Sequence, residues 1–422
     1  MDTNIILSNN PQEYGLPYTS WYPNQRELAE KAVNLKEKRV LIIEAPTGLG
    51  KSSIGVTVSH FRKGTVVLMS TRDLQQQYAQ TFSNVAVIWG QGNYPCIDEV
   101  HIQTCKKIYG ENPSRADCPF DSHAEAAQKC TLFHRCPYEV AKRRAMVAQT
   151  RVLNYHYGYF SSWWKQENNA VPWDLVCDEA HTLPEVLASL VSINIAPSTA
   201  NFFGLPSVPV IEGGLRRDMN QAVNWLHNAQ RSMSRAIKNK DVRKRKRAIQ
   251  LYTKLTELQD VISSAERESW YIKSGDNGFS ARPVIPGNYA QKIIIPNARS
   301  IILMSATIGR PEILLRELGL SNSEYEFVST PHGFPKENRP IFWVTNVPKI
   351  RYKTTSSEYD YQAQVINKII NLHKNEKGLI HTASWKHANN LARALAQNGN
   401  ADRIMLANGK RLSTIEKFKK AI

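Results

Sequence analysis

The sequence predicts an α/β fold built on a parallel sheet, and three stretches predict it. Val40-Leu41-Ile42-Ile43, Thr65-Val66-Val67-Leu68-Met69-Ser70 and Trp173-Asp174-Leu175-Val176-Cys177 are short and largely apolar. Such runs, separated by segments of helical periodicity, mark strands buried on both faces of a parallel sheet. Each leads into polar residues: Ala45-Pro46-Thr47-Gly48-Leu49-Gly50-Lys51-Ser52, then Thr71-Arg72, then Asp178-Glu179-Ala180-His181. In open α/β sheets, ligands bind beyond the carboxyl ends of the strands.

The first of these is a phosphate-binding loop. Small residues let backbone N–H groups turn inward onto phosphate oxygens, helped by the positive end of the helix that follows. Lys51 is placed to reach the outer phosphates and Ser52 to bind Mg²⁺, which together imply ATP. Ala45 stands where the strict pattern has Gly; a small residue suffices there. Upstream, an amphipathic helix is expected from about Asn24 to Lys36. Gln25 opens it and can either hydrogen-bond an adenine edge or cap the helix. Thr71-Arg72, at the start of another helix, suits contacts to a nucleic-acid backbone.

Composition narrows the partners. Lys and Arg outnumber Asp and Glu by 54 to 37, a net charge of +17, which favours a polyanion such as nucleic acid. No run approaches the ~20 apolar residues that span a bilayer, so no membrane partner is expected. The N-terminus lacks the basic and apolar regions of a secretory signal, and a cytoplasmic location is the expectation. In that reducing compartment the six cysteines are metal ligands or buried thiols rather than disulfides.

From Gly90 to about Val147 the apolar periodicity fades and five cysteines appear: Cys96, Cys105, Cys118, Cys130 and Cys136. This segment reads as an insertion held by something other than a large core. Their spacings do not fit the short Cys pairs of ordinary zinc sites, which leaves zinc as the alternative to another metal centre. Cys177 lies inside a strand and reads as a buried thiol. At that strand's end, Asp178 fits a Mg²⁺ role and Glu179 the residue that polarises an attacking water.

Residues from about Leu187 to Trp270 read mainly as helix. Met219, Val223, Leu226, Met233 and Ile237 recur at helical spacing, as do Leu251, Leu255, Leu258 and Ile262. Between them lies the basic run 238–247, either a solvated helix tip or a phosphate-backbone contact. Residues 280–297 read as a connector, then Ser300-Ile301-Ile302-Leu303-Met304-Ser305 as a buried strand ending in Ser-Ala-Thr. After a Pro-rich linker near 331–340, strands at 341–344 and 377–384 and helices at 361–373 and up to Leu395 suggest a second α/β unit.

These motifs, in this order, resemble superfamily 2 helicases, and the cysteine-bearing insertion resembles the XPD/DinG family. Gly92-Asn93-Tyr94-Pro95-Cys96 and Cys130-x5-Cys136-Pro137-Tyr138 are similar to that family's cluster signature. Val152-Leu153-Asn154-Tyr155-His156 resembles the stretch that comes after the cluster in that family. Met304-Ser305-Ala306-Thr307 resembles its motif that couples ATP state to DNA grip. Residues 377–384 resemble the first motif of a second motor domain. The resemblance runs from about Tyr22 to Ser384.

It implies a RecA-like P-loop motor domain with an inserted Fe–S cluster domain and a helical Arch domain, plus an incomplete second RecA-like domain. The expected division is motor domain 1 at 1–90, 151–186 and 281–330, the Fe–S insertion at 91–150, the Arch-like insertion at 187–280, and motor domain 2 at 331–422. It also implies a [4Fe–4S] cluster on four of the five cysteines. Cys96, Cys118, Cys130 and Cys136 are the expected set, with Cys105 the alternative to Cys118. ATP hydrolysis would use Lys51, Asp178, Glu179 and His181, and Mg²⁺ would sit on Ser52 and Asp178. The implied activity is 5′–3′ translocation on single-stranded or forked DNA. Tyr94 and Tyr155 would either stack on bases or pack internally. The family's Gln-x-x-Gly-Arg motif is not found between Ser384 and Ile422, so a second polypeptide carrying it is an expected partner.

Overall fold

In chain order the strands are β1 (Val40–Glu44), β2 (Thr65–Met69), β3 (Val85–Val87), β4 (Thr150–Asn154), β5 (Asp174–Asp178), β6 (Ile193–Ile195), β7 (Ile211–Glu212), β8 (Trp270–Gly275), β9 (Gly278–Pro283), β10 (Ser300–Ser305) and β11 (Tyr325–Ser329). They come from a computed structural model that describes the chain apart from residues 1–3, 38, 63, 121–122, 162–172, 213–215, 264–269, 276–277, 295–297, 332, 334, 339, 346, 349–350, 352, 407–410 and 421–422. The side chains of 211–212, 216–219, 262–263, 291–292, 411–413 and 415–416 are also outside the description, and with them the expected stripe positions Met219 and Ile262. The chain divides into two units, Met1–Gly333 and Phe334–Ile422.

Seven strands of the first unit form one sheet in the order β11-β1-β10-β5-β2-β4-β3, with every pairing parallel. The expected strands are its central members, and Val66, Val67, Leu175, Val176, Ile302 and Leu303 are fully buried. Of the two edges, β3 is a short apolar run of three residues, Val85-Ala86-Val87, and β11 is largely polar and exposed. Four of the five β11 residues are exposed, which is why no apolar run announces that strand. The helix before the phosphate loop is shorter than expected, Gln25–Val33. Arg62 ends it by donating to the carbonyls of Val33 and Leu35 at 2.6 and 2.5 Å.

Both insertions differ from their expected character. The cysteine segment is not irregular: it carries the helices Glu99–Tyr109, His123–Lys129 and Pro137–Val147. Tyr138 of the third helix joins an aromatic cluster with Trp89 and Tyr94, and His123 of the second meets Glu139 of the third at 3.0 Å. The second insertion is helical only in part. Two long helices, Arg216–Ala236 and Val242–Ser263, lie with a four-stranded antiparallel sheet in the order β6-β9-β8-β7. Part of the supposed connector 280–297 is β9 and a 3₁₀ turn.

The basic run is neither free nor poised on a polyanion along its whole length, because it docks on the cysteine segment. Arg243 pairs with Asp117 at 2.7 Å and with Glu111 at 3.3 Å, and lies over the Tyr109 ring. Lys246 donates to the carbonyls of Ala116 and Cys118 at 3.0 and 2.8 Å. Tyr109 closes the contact by donating to Asp241 at 2.9 Å.

The second unit is built on the helices Ser356–Leu372 and Trp385–Leu395, whose small core holds Ala363, Leu391, Ala394 and Leu395. The strands expected at 341–344 and 377–384 do not form among the described residues. Ile341 is 91 % exposed and Leu379 88 %. A strand is held by hydrogen bonds to neighbours, and no described strand of this unit stands beside either run.

Candidate active site

The phosphate loop, residues 45–52, lies at the carboxyl end of β1, between β11 and β10 in the sheet. Its shape depends on Gly48 and Gly50, both with positive φ, 89° and 79°. A Cβ on Gly50 would lie 2.4 Å from Gln25 Nε2, so glycine is required there for space as well. Lys51 is buried, its ammonium donating to the carbonyls of Ala45 and Pro46 at 2.9 and 3.2 Å. Ser52 opens the helix Ser52–Phe61 directly behind it.

Gln25 braces this loop. Its amide nitrogen donates to Gly50 O at 3.0 Å and Ser53 Oγ at 2.9 Å, and its oxygen accepts from the Tyr22 amide at 2.9 Å. The side chain is fully buried. An adenine contact would require it to leave these partners.

β10 and β5 bring two further elements to the same end of the sheet. Asp178 is buried at the end of β5. Desolvation by burial, then the Glu179 charge, push its carboxyl up to about 6, opposed by Lys51 and by the Glu179 amide. Glu179 adopts a left-handed backbone, φ 53° and ψ 44°, which a non-glycine residue rarely does outside functional turns. The turn is held by Thr182, whose amide and hydroxyl donate to Glu179 O at 2.9 and 2.8 Å. His181 Nδ1 sits 2.5 Å from Ser305 Oγ and 3.4 Å from Glu179 Oε2. The Ala45 amide donates to Ser305 O at 2.9 Å. One residue, Ser305, thus touches both the phosphate loop and the Asp-Glu-Ala-His turn.

Two tyrosines belong to this site, Tyr78 without any motif to mark it and Tyr155 within the stretch 152–156. Tyr78 is buried beside the Ser52 hydroxyl and near Asp178, and its phenol is pushed well up, first by desolvation. Tyr155 donates its hydroxyl to Asp178 O at 2.7 Å. It is fully buried and Tyr94 nearly so, hence of the two expected roles both take packing, not base stacking. Helical spacing from Thr71 could have placed Tyr78 on the buried face, but not beside Ser52.

The sign of the Asp178 perturbation gives a testable consequence. A carboxyl raised in the folded state stabilises below its unfolded pKa, and that contribution is lost as pH rises through about 6. The protein without metal therefore carries a destabilising buried charge at pH 7.5. Asp178→Asn is expected to raise its Tm at pH 7.5, by up to roughly 2–3 kcal/mol of stability. The gain should shrink at pH 5, and the thermal shift that Mg·ATP gives the parent should disappear. An unchanged or lower Tm at pH 7.5 would contradict the burial argument.

The cysteines are less converged. Cys96 is joined to the segment 113–115 through its amide to Pro113 O at 3.0 Å. Its thiol is pushed up by burial first, then by Asp98, Cys118 and Cys136, so those two thiols are its neighbours. Cys105 instead faces His101, with Sγ 3.5 Å from Nε2. Cys136 caps the helix Pro137–Val147, and Cys130 sits in the turn before it. Among the described residues no group of three or more His, Cys, Asp or Glu side chains is placed to hold a metal ion. The expected four-cysteine cage is not drawn together, and neutral thiols have no attraction that would draw it. Cys177 is buried and its thiol pushed up by desolvation, in keeping with an inert core residue.

No protein-family model matches the chain. Over 202 residues it is 26 % identical to a Methanocaldococcus jannaschii protein described as a probable ATP-dependent helicase, covering 42 % of this chain and 30 % of that protein. The chain thus spans less than a third of that relative's length. Among solved structures it is similar to an XPD helicase at 14 % identity and TM-score 0.47, covering 92 % of this chain and 75 % of the other. A second, an Xpd4 of S. tokodaii, gives 10 % identity and TM-score 0.43, covering 87 % and 73 %. Among described residues no helix is long and apolar enough to cross a membrane. The similarity in sequence is to an ATP-dependent helicase, in line with the resemblance to XPD/DinG-type helicases that the motifs carry.

Proposed function

We propose that this chain is the ATP-binding part of a DNA helicase of the XPD/DinG type, which translocates 5′ to 3′ on single-stranded DNA. The observation that carries the reading is the meeting of the phosphate loop, Asp178, Glu179, His181 and Ser305 at the carboxyl ends of the neighbouring strands β1, β10 and β5. Lys51 and the loop amides hold the phosphates, Ser52 and Asp178 hold Mg²⁺, and Glu179 orients the attacking water. The 422 residues contain no Gln-x-x-Gly-Arg sequence. In this reading the arginine that would stabilise charge on the γ-phosphate is supplied from outside that set of motifs. That same fact favours a second reading, an ATP-switched single-stranded nucleic-acid-binding subunit without unwinding activity.

The purified 422-residue chain is expected to bind Mg·ATP and oligo(dT), with slow turnover that DNA raises little. Failure to bind nucleotide overturns the proposed function. Robust DNA-stimulated turnover overturns the need for an outside arginine. Unwinding of a 5′-tailed duplex once the missing residues are supplied separates the helicase from the binding subunit.

The cysteine segment would carry a [4Fe–4S] cluster on Cys96, Cys118, Cys130 and Cys136. The turning of Cys105 onto His101 supports this set over one with Cys105. Anaerobically purified protein is expected to be brown and to contain iron, to lose both in Cys136→Ser, and to keep both in Cys105→Ser. Colourless protein with stoichiometric zinc would identify the alternative metal.

A further inference from the structure

Glu44 ends β1 and immediately precedes the phosphate loop, yet its side chain faces away from that loop's work. In the sheet it is in register with Ser305 on one side and Ser329 on the other. Its carboxylate Oε2 accepts the amides of Ile308 and Gly309 at 2.6 and 3.2 Å, and Oε1 accepts from the Ser329 hydroxyl at 3.2 Å. Gly309 has φ 74°, a left-handed conformation, and its amide and the one before it meet on the same carboxylate oxygen. Such a pair of N–H groups is an anion-binding nest, and here the anion is a side chain of the protein itself. These donors hold the Glu44 carboxyl below the usual carboxylate range.

The Ser-Ala-Thr element is therefore gripped at both ends. At its start Ser305 meets His181 and the Ala45 amide, and at its end Ile308 and Gly309 meet Glu44. Thr307, between the two grips, is exposed. Glu44 is covalently continuous with Ala45, so a shift of the phosphate loop on nucleotide binding is passed to the far end of this element by a charged contact.

We propose that Glu44 is a positioning residue that couples the nucleotide state of the phosphate loop to nucleic-acid affinity through the Ile308–Gly309 turn. This rests on the function proposed above. Coupling between two ligands is read as the factor by which one changes the affinity of the other. The probes are a fluorescein-labelled oligo(dT) and a non-hydrolysable ATP analogue with Mg²⁺, used on the full 422-residue chain.

In the parent, the analogue is expected to change oligo(dT) affinity at least fivefold. In Glu44→Ala that factor should fall to within twofold of unity, while analogue affinity stays within threefold of the parent. Glu44→Gln keeps an oxygen for the two amides and an NH₂ that can donate to the Ser329 hydroxyl, and should restore most of the coupling. Gly309→Ala disturbs the nest from the other side and should lower the coupling in the same way, which keeps the test alive if Glu44→Ala does not fold. Parent coupling retained in either alanine variant overturns the proposal, as does a parent that binds both probes without coupling. A Glu44→Ala loss of analogue affinity beyond threefold also overturns it, since that would make Glu44 a plain part of the loop. A parent that binds neither probe overturns the proposed function itself, and this inference with it.

Discussion

Lys51→Ala is expected to weaken binding of Mg·ATP by roughly 30- to 1000-fold. The ammonium is held against the loop carbonyls, 2.9 Å from Ala45 O and 3.2 Å from Pro46 O, where phosphate oxygens would replace those partners. Hydrogen bonds to a charged group contribute about 1.5–3 kcal/mol each, and a Lys bridging two phosphates makes more than one, so a loss of about 2–4 kcal/mol is the scale. Each 1.4 kcal/mol is about tenfold in affinity. The apo fold should lose some stability too, because Ala45 and Pro46 are buried and their carbonyls lose this donor. Titration with a fluorescent ATP analogue, with the melting temperature measured alongside, checks both halves. An affinity within threefold of the parent would remove Lys51, and with it residues 45–52, from the nucleotide site.

What could be read from the sequence was whatever is local in it. The phosphate loop and the Asp-Glu-Ala-His turn are contiguous, and the strands leading to them are buried on both faces, so type and position survive in the residue pattern. What could not be read depends on partners far away in the chain. Gln25 has the residue type of an adenine reader, but its helix packs so that the amide meets Gly50 and Ser53 instead. The basic run 238–247 has the composition of a polyanion contact. Its destination is set by Asp117 and Glu111, more than a hundred residues upstream. Tyr78 and Glu44 carry no motif because their roles arise from strand order. The strands expected at 341–344 and 377–384 fail for a related reason: an apolar run records a preference for burial, and only a paired neighbour makes it a strand.

The second large effect lies at the opposite end of the sheet from the nucleotide. Asp174, the first residue of β5, is completely buried and in register with Thr65 and Ser300. Its carboxylate accepts from Arg62 at 3.1 Å, from Ser300 Oγ at 2.6 Å and from Arg299 Nε at 3.1 Å to both oxygens, and Arg299 Nη2 joins them. Arg62 carries the grip onward to the carbonyls of Val33 and Leu35. One buried anion thus ties two arginines, the start of β10 and the end of the helix Gln25–Val33. Removing it leaves two largely buried cations, whose side chains are 17 % and 12 % exposed, without their counter-charge. Breaking a buried pair from one side costs about 3–5 kcal/mol. Asp174→Ala is therefore expected to lower the melting temperature by about 6–20 °C, given the roughly 2–4 °C per kcal/mol of domains of this general size. Asp174→Asn, which keeps one acceptor oxygen, should lose less. Adding Arg299→Leu to Asp174→Ala should cost less than the sum of the single changes, because the two substitutions remove the two sides of one pair. Nucleotide affinity measured well below the transition should be unchanged, since the pin and the phosphate loop sit at opposite ends of the sheet. A melting temperature within 2 °C of the parent would mean that the two arginines find other partners, and that the base of the sheet does not depend on this carboxylate.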